Sequence, residues 1–518
     1  MTSSKENTSI VLVLHAHLPY IRIPHHWFPL EELWLYQTMS ECYIPLLQVF
    51  DRLDNEQVSF HLTISLSPTL IQMLSDRYYQ DRYRSWVKTM MRLLEHIPKN
   101  ETAEQEKSRT FYRNFLNDTL DYFEMNKRDL LDCFKFHADS KNLTLITTAA
   151  THALLPAYRS QAELVNTQVS IGMEVFKKHF DASPEGFWMP EMAYYTGLDN
   201  ILVENGIRYT FCDTRAVYLN GNPPASGHFA PSISPASLVF FPRDPLLSMA
   251  VWSAQQGYPG DYRYREFHHD YMYTLPDDIL ESEGIDRIPA GLKLYAITGE
   301  TMEKNWYDPE AARRQARVHA KDYMEKINQR TSEMKDRVNH PVFILPFDME
   351  LFGHWWFEGP IFIEELCRQI STSASARMQP PGKLAHEDNL LSFTPAESSW
   401  GGGGLFSTWY PPQLGWLYPK IHDIYYNLKS GTENIPAIIR EQLLREICLA
   451  QSSDWVFMIA NGHTPDFAMN RLHDYIHAAE HLSDQISRHD PDTHFAESRK
   501  EEYPLFTDII GKYTQRKD

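Results

Sequence analysis

The sequence predicts an α/β protein built around a parallel β-barrel, with a helical insertion and a helical C-terminal region. Segments with strand and helix patterns alternate over about 350 residues, as in chains built from βα units. The first strand, residues 9–14 (SIVLVL), is almost wholly apolar, which is typical of a strand buried on both faces of a parallel sheet. Several predicted strands end in His, Asp or Glu, and in a parallel barrel those ends share the face that carries the active site.

Each predicted strand is a short apolar run bounded by polar or turn-forming residues. Pro68 closes the second strand, and Gly206 follows a short helix where a C-cap glycine belongs. The predicted strands cover residues 9–14, 58–67, 143–148, 186–191, 208–213, 238–241, 249–253, 292–298 and 342–347. The predicted helices between them cover residues 161–180, 198–205 and 310–335.

Two parts of the chain have a helical pattern only. Residues 77–138 are highly charged, and their apolar positions recur at helical spacing. From about residue 416 onward, four further segments show helical periodicity. We therefore predict a barrel formed by residues 1–76 and 139–400, a helical insertion at 77–138 and a helical C-terminal domain at 401–518.

Composition disfavours several classes of function. The chain has 518 residues, with 49 Lys and Arg against 68 Asp and Glu, and a formal net charge of −19. Nucleic acids and anionic membrane surfaces attract basic protein faces, so we expect neither as a partner. No uninterrupted apolar run reaches about 18 residues, and the polar N-terminus lacks a signal-peptide core. We therefore expect no membrane span and no secretion signal.

Cysteine usage predicts a reducing compartment. The five cysteines are odd in number and form no CxxC pairs, which argues against a disulfide framework and a cysteine zinc site. We expect a cytoplasmic protein. The chain also has 12 Trp and 28 Tyr, whose rings stack on sugars, bases or other aromatics. The acidic balance disfavours bases among these alternatives.

His15 and His17 lie two residues apart at the end of the first strand, so their side chains point to the same side. Three interpretations are open at this stage. The pair can be hydrogen-bonded histidines near the core, a metal-binding pair, or neutral donors to sugar hydroxyls.

Two segments combine carboxylates with indoles. Trp188-Met189-Pro190-Glu191 places a carboxylate beside a bulky aromatic ring, and residues 347–360 (FDMELFGHWWFEGP) hold three carboxylates, one His and two adjacent Trp. Such groups suit two carboxylates on either side of a glycosidic bond, with indoles stacked on the sugar rings. In retaining glycosidases those two carboxyl groups lie about 5–5.5 Å apart.

Five segments resemble the signature regions of glycoside hydrolase family 57. They are residues 15–20, 150–156, 186–194, 347–360 and 452–455, in this order along the chain. Residues 252–253, 257–261 and 264–267 resemble more narrowly the subgroup of 1,4-α-glucan branching enzymes. The resemblance implies an incomplete (β/α)7 barrel with a helical insertion and a helical C-terminal domain. It also implies retaining chemistry on α-glucans such as glycogen, amylose or maltooligosaccharides, without a cofactor or catalytic metal.

The resemblance implies a role for each matching position. Glu191 matches the nucleophile and Asp348 matches the general acid/base. The expected substrate-binding or site-supporting residues are His15, His17, His152, Trp188, Arg265, Trp252, His354, Trp355, Trp400, Trp409, Asp454 and Trp455.

The molecule that accepts the cleaved chain decides the function. Attack by a C6 hydroxyl of another glucan gives a branch, which is the favoured prediction, and attack by water gives an α-amylase-like hydrolase. Branching members are expected to carry a loop over the site with a tyrosine near its tip. In the corresponding loop, residues 217–237, the only tyrosine is Tyr218 at the base, and we predict that Phe229 in the middle gates the site. Arg215 also stands where a histidine is expected.

Two other classes of function remain open from the sequence. The first is a metal-dependent hydrolase of the deacetylase or amidohydrolase kind, with His15, His17 and Asp348 as ligands. The second is a non-catalytic glucan-binding protein, against which the presence of both Glu191 and Asp348 counts.

Overall fold

The computed structural model describes residues 8–97, 102–253, 257–430 and 435–514. It confirms the predicted α/β class, because parallel strands and helices alternate along the first two thirds of the chain. The strands are β1 (Thr8–Ala16), β2 (Leu62–Leu66), β3 (Leu143–Thr148), β4 (Gly186–Trp188), β5 (Tyr209–Cys212), β6 (Ser232–Ile233), β7 (Val239–Pro242), β8 (Val342–Asp348), β9 (Ala376–Met378) and β10 (Leu391–Ser392).

Seven parallel strands form a curled, incomplete barrel. The strand order is β10-β6-β7-β5-β4-β3-β2-β1-β8, and β9 pairs with β1. The β6–β7 pair is antiparallel, and the other pairs of named strands are parallel. The seven parallel strands run from β7 to β8 in this order, and these two strands approach each other where the amide of Asp244, just after β7, donates a hydrogen bond of 2.9 Å to the carbonyl of Ile344 in β8. The C-terminal ends of the seven parallel strands therefore open on one face.

The alternation of side chains along β1 separates two apolar layers. Val11 and Val13 point into the barrel, where they pack with inward residues of the other strands such as Ile146 and Phe211. The intervening residues of β1 point outward against the surrounding helices. Both faces of β1 are covered, which explains why nearly all of its residues are apolar.

The helices form an outer layer, a cluster after β2 and a C-terminal bundle. The cluster after β2 consists of α3 (Pro68–Ser75), α4 (Arg77–Glu95), α5 (Ala103–Met125) and α6 (Leu130–Asp139). The other helices before β10 are α1 (Leu30–Thr38), α2 (Ile44–Asn55), α7 (Ala162–Phe180), α8 (Leu198–Glu204), α9 (Arg215–Tyr218), α10 (Pro245–Trp252), α11 (Asp277–Glu283), α12 (Pro309–Met334), α13 (Gly359–Ser371) and α14 (Pro381–Ala385). The C-terminal helices are α15 (Leu417–Ser430), α16 (Ala437–Ala450), α17 (Ser453–Asn461), α18 (Pro465–Arg488) and α19 (Thr493–Glu502).

The helices lie where the sequence predicted a helical insertion and a helical C-terminal domain. The exact boundaries of these parts and the barrel, at residues 76, 138 and 400, stay predictions. Helices α4, α5 and nearly all of α6 lie in the range assigned to the insertion, and α15 to α19 lie in the C-terminal range. Among the described residues, no helix is long and apolar enough to cross a membrane.

Two predicted strands are wrong. Residues 249–252 belong to helix α10, with Ser253 as its C-cap, and residues 292–298 form only isolated bridges, with Tyr295 opposite Trp306 and Ala296 opposite Arg265. Helix α10 begins at Pro245, and the Asp244 carboxylate accepts hydrogen bonds of 3.0 and 2.9 Å from the amides of Leu246 and Leu247. An aspartate N-cap followed by proline at the first helical position is a helix-start signal that outweighs a short apolar run.

The structure does not place Phe229, the predicted gate, over the two carboxylates. The Phe229 carbonyl accepts a hydrogen bond of 2.8 Å from the amide of Val342, the first residue of β8. Its ring packs edge-on against Phe343 and beneath the Arg330 guanidinium. Asp348 ends the same strand six residues further on, which corresponds to about 20 Å at the usual rise per residue. Phe229 therefore lies near the end of the barrel opposite the catalytic face.

Candidate active site

Two carboxylates occupy the ends of separate strands on the open face of the barrel. Glu191 follows β4, and its backbone has a positive φ of 60° that non-glycine residues rarely adopt. Asp348 is the last residue of β8 and is paired in register with His15 of β1. The charge of Glu191 acts on the ionisation of Asp348, so the two carboxylates belong to one electrostatic site.

Both oxygens of Glu191 accept a hydrogen bond. Ser453 donates to Oε1 at 2.9 Å, and the indole Nε1 of Trp400 donates to Oε2 at 2.9 Å. Burial raises the pKa of Glu191 to about 7, while the donors Trp400 and Ser453 oppose this rise. The arrangement gives a carboxylate that is held in place and has exchanged most of its water for protein donors.

Asp348 is part of a group of carboxylates that disfavour one another's ionisation. Burial raises the pKa of Asp348 well above its ordinary value, and the neighbouring charges of Glu350, Glu191 and Asp454 add to this rise. A carboxyl group in such surroundings holds its proton at neutral pH, as a general acid must.

Glu350 lies two residues beyond Asp348 and is buried. Its Oε1 accepts hydrogen bonds from the backbone amide of His17 at 3.1 Å and from the hydroxyl of Tyr43 at 2.5 Å. Burial raises the pKa of Glu350 to about 7. Through its bond with the His17 amide, Glu350 therefore connects the segment after β8 to the segment after β1.

His17 and Asp454 form an ion pair at the site. Nε2 of His17 lies 2.9 Å from Oδ2 of Asp454, at the start of α17. Burial disfavours the imidazolium form, but the Asp454 carboxylate outweighs burial and raises the pKa of His17. Burial likewise opposes ionisation of Asp454, but His17 outweighs it and lowers the pKa of Asp454 to about 2.

His15 and His152 use all their ring nitrogens within the protein. Nε2 of His15 lies 3.0 Å from Nε2 of His152, and the two Nδ1 atoms lie 3.0 Å from the hydroxyls of Ser65 and Ser453 respectively. No ring nitrogen of either residue is left for a sugar hydroxyl. The structure therefore favours a supporting role for these two histidines over the expected direct contact with substrate.

His17, His152 and Asp454 also form a group with the composition of a metal site. Three of their ligand-type atoms lie within 4.8 Å of one another. However, Nε2 of His17 is bonded to Asp454, and both nitrogens of His152 are bonded to His15 and Ser453. A metal ion needs free lone pairs from its ligands. These contacts engage both nitrogens of His152 and Nε2 of His17, whereas Nδ1 of His17 has no hydrogen-bond partner among the described residues. This donor set as arranged does not favour the metal-dependent hydrolase.

Three indoles lie next to the carboxylates. Trp188 is stacked on His15, with ring centroids 4.6 Å apart and an interplanar angle of 9°. The ring of Trp400 meets Trp188 edge-on at 5.2 Å and meets Trp252 edge-on at 6.0 Å. Trp188 is buried, whereas Trp252 and Trp400 are half-buried and keep part of their surface accessible. Trp355 is 46% exposed.

Four other predicted substrate-binding residues are buried within the protein. Arg265 and His354 are buried and both bind the Glu41 carboxylate, at 2.5 and 2.6 Å. Trp409 and Trp455 are also buried, and the Trp455 indole donates to the carbonyl of Leu449 within the helical region. None of these four side chains offers a free face to a glucan.

Two further polar strand ends have structural partners. Asp213, after β5, forms an ion pair of 2.6 Å with Arg243. Asp244, after β7, caps α10 and binds Arg330 at 3.1 Å. A polar residue after a barrel strand is thus not sufficient to identify a site residue.

Comparison with known proteins agrees with this geometry. The family model described as glycosyl hydrolase family 57 matches residues 11–385. The chain belongs to this family. A second family model, described as the C-terminal region of 1,4-alpha-glucan branching enzyme, matches residues 423–513.

Several known proteins align over nearly the whole chain. A 1,4-alpha-glucan branching enzyme of Thermococcus kodakarensis is 27% identical over 93% of this chain and 74% of its own length. A probable 1,4-alpha-glucan branching enzyme of Mycobacterium tuberculosis is 28% identical over 93% of both chains. The crystal structure of the alpha-amylase AmyC from Thermotoga maritima superimposes with a TM-score of 0.91 at 31% identity, covering 99% of this chain and 100% of that one. The crystal structure of the branching enzyme of Thermococcus kodakarensis gives 0.88 at 25% identity, covering 99% and 97%.

Sequence reasoning missed three residues of this family 57 site. Ser453 lies inside the segment 452–455 that carried the resemblance, but only its neighbours were assigned a role. Ser65 was hidden in the apolar run of β2, although a buried serine on an inward strand position is a signal for a polar partner. Glu350 lies within the dense segment after β8.

Proposed function

We propose that this protein is a retaining 1,4-α-glucan branching enzyme, which cleaves an α-1,4 bond and transfers the chain to form an α-1,6 bond. The observation that carries the proposal is the pair Glu191 and Asp348, which lie half-buried at the ends of β4 and β8 on the open face of the barrel, beside half-buried indoles. The branching-enzyme model that matches residues 423–513 and the named relatives support this specificity.

The cleavage step uses Glu191 as the nucleophile. Its carboxylate attacks the anomeric carbon, while Asp348 gives its proton to the departing glycosidic oxygen, and a glycosyl ester of Glu191 forms. The raised pKa of Asp348 suits this role, because the group is protonated when the substrate arrives.

The transfer step reverses the role of Asp348. Formation of the ester removes the negative charge of Glu191, which is one of the charges that raise the pKa of Asp348. The pKa of Asp348 therefore falls, and the group can accept a proton from the incoming hydroxyl. When that hydroxyl is C6–OH of a second glucan, the ester is converted into an α-1,6 branch and Glu191 is released.

An α-amylase-like hydrolase is the second candidate. The alpha-amylase from Thermotoga maritima is 31% identical over nearly the whole chain. In addition, the middle of the 217–237 loop lies against the start of β8, so Phe229 does not screen the ester from water. Transfer then depends on an acceptor held by the accessible indoles Trp252, Trp355 and Trp400.

One experiment separates the two candidates. The protein is incubated with amylose, and α-1,6 linkages and new reducing ends are measured in the same samples. Branching creates α-1,6 linkages without a matching rise in reducing ends, whereas hydrolysis creates reducing ends alone. Glycogen and maltooligosaccharides extend the test to branched and short donors.

We also propose a cytoplasmic location and a three-part division of the chain at the predicted boundaries. The five cysteines are buried and unpaired, which suits a reducing compartment. The acidic net charge supports a polysaccharide over a nucleic acid as the partner.

A further inference from the structure

A continuous row of hydrogen bonds runs from the barrel interior to the nucleophile. It begins at Ser65, whose side chain is fully buried in β2, and it ends at Glu191. The four contacts are Ser65 Oγ to His15 Nδ1 at 3.0 Å, His15 Nε2 to His152 Nε2 at 3.0 Å, His152 Nδ1 to Ser453 Oγ at 3.0 Å, and Ser453 Oγ to Glu191 Oε1 at 2.9 Å.

Hydrogen-bond chemistry fixes the direction of this row when Glu191 is ionised. A carboxylate only accepts, so the single hydroxyl hydrogen of Ser453 points at Oε1 of Glu191. Ser453 must then accept from Nδ1–H of His152.

The same argument continues through the two rings to Ser65. With its hydrogen on Nδ1, His152 offers a lone pair at Nε2 and accepts from Nε2–H of His15. His15 in turn has a lone pair at Nδ1 and accepts from the hydroxyl of Ser65. All four donors therefore point toward Glu191, and both histidines are neutral with opposite tautomers.

The surroundings of the two rings agree with neutral histidines. Both rings are buried. Burial lowers the pKa of His15 well below its ordinary value, and the neighbouring His152 and His17 lower it further. Burial also lowers the pKa of His152, and His17 adds to the effect. At neutral pH each ring carries one hydrogen, as the directed row requires.

We propose that Ser65, His15, His152 and Ser453 form a directed relay of donors that favours the ionised form of Glu191 and orients it for attack. The relay moves no proton during the reaction, and each hydrogen stays on its donor. Ser453 and Ser65 are positioning residues in this proposal, which rests on the proposed role of Glu191 as nucleophile. Ser65 supports the direction that Glu191 imposes, because without the Ser65 donor the two rings can exchange tautomers and Ser453 can turn its hydrogen away from Glu191.

The charged and titratable groups that face Glu191 stay unchanged in variants of the two serines. They are His17, His152, Asp348 and Asp454, with Glu350 beyond Asp348. A change in the ionisation of Glu191 in such variants therefore reports on the donors of the relay.

The test is the pH dependence of kcat/KM on an activated α-glucoside or a maltooligosaccharide. In Ser453→Ala the acidic limb of the kcat/KM profile is expected to shift to higher pH by about one unit, because a donor that lowers the pKa of the nucleophile is lost. Ser453→Thr keeps the hydroxyl and is expected to retain the wild-type limb. Ser65→Ala is expected to move the limb in the same direction by less, although Ser65 makes no contact with Glu191.

Ser67→Ala is the matched control. Ser67 is a buried serine two residues from Ser65, and its hydroxyl caps α3 by accepting from the amide of Leu70. Its loss is expected to lower thermal stability without moving the acidic limb.

Unchanged acidic limbs in Ser453→Ala and Ser65→Ala, with Glu191→Gln inactive, would overturn the relay and leave the proposed function intact. An active Glu191→Gln would overturn the proposed nucleophile itself. If a serine variant fails to fold, neutron diffraction on the wild-type protein decides the question. Hydrogens on Nε2 of His15 and Nδ1 of His152 support the relay, and hydrogens on the opposite nitrogens overturn it.

Discussion

Ser453 donates a hydrogen bond of 2.9 Å to Oε1 of Glu191, although 262 residues separate the two in the chain. Ser453 is the first residue of α17, and its backbone amide also donates to the carbonyl of His152 at 3.2 Å. The neighbouring Asp454 pairs with His17. The helical C-terminal region therefore contributes side chains to a site whose carboxylates lie on the barrel.

Glu191→Gln is expected to lower the rate of glucan cleavage by about 10³-fold or more, while glucan binding persists. The amide keeps the shape of the side chain but cannot form the ester intermediate. The measurement is turnover of amylose together with binding of the same glucan by calorimetry. Glu397→Gln, which removes a charge from an exposed pair with Arg159, is the control and is expected to keep wild-type activity. A variant of Glu191 with substantial turnover would exclude the residue as nucleophile.

Asp348→Asn is expected to reduce activity on amylose more than activity on a glycoside with a good leaving group. A good leaving group needs little protonation, so the first step survives the loss of the general acid. Burst kinetics on the activated substrate check whether breakdown of the ester has become limiting. An equal loss on both substrates, without accumulation of the ester, would argue against the acid/base assignment.

EDTA is expected to leave activity unchanged. The reaction as proposed uses two carboxylates, and the nitrogens of His15 and His152 are engaged by protein partners. Activity is measured before and after chelation and again after addition of zinc. Loss of activity with recovery on zinc would assign the group of His17, His152 and Asp454 to a metal.

Much of the fold could be predicted from local sequence. The apolar run of β1 predicted a strand buried on both faces, and β1 packs inward and outward as expected. The polar residues after β1, β3, β4 and β8 predicted the face that carries the carboxylates. The error at residues 249–253 came from giving an apolar run more weight than the Asp244-Pro245 start signal.

Contacts between distant segments could not be predicted. Glu41 forms a buried ion pair with Arg265, 224 residues further along the chain. Arg265, which was predicted to contact the sugar, therefore binds a protein carboxylate instead. His15 and His152, 137 residues apart, likewise bond to each other through their Nε2 atoms, so these nitrogens are not available to a sugar. A sequence shows which residues can form hydrogen bonds, but the choice between a protein partner and a sugar is made by packing.

Phe229→Ala and Phe229→Tyr are expected to leave the ratio of α-1,6 linkages to reducing ends unchanged. The ring lies at the start of β8, where it packs against Phe343 and under Arg330, away from Asp348. The alanine variant is instead expected to lose about 2 kcal/mol of stability through lost packing. The product ratio and thermal unfolding are measured on the same preparations. A changed ratio at unchanged stability would show that the 217–237 loop reaches the site.

Asp454→Asn is expected to destabilise the protein by an amount that depends on pH. The pKa of Asp454 falls from its ordinary value of 3.8 to about 2 on folding, so its contribution is present above pH 3.8 and is lost as the pH falls toward 2. This fall corresponds to about 2 kcal/mol. The pKa of His17 is raised above 6.5, so its contribution is present below pH 6.5 and is lost as the pH rises through the folded value.

The opposite pH dependences of Asp454 and His17 define a pH range in which their ion pair stabilises the protein. The difference in thermal stability between wild type and Asp454→Asn should be largest between about pH 4 and 6.5 and should shrink on both sides, because the charge pair exists only while Asp454 is ionised and His17 is protonated. Differential scanning calorimetry from pH 3 to 9 measures this profile. Asp423→Asn, at an exposed position of α15, is the control and should show no such window. A difference that stays constant across the range would mean that Asp454 stabilises the site through a neutral hydrogen bond and not through the charge of His17.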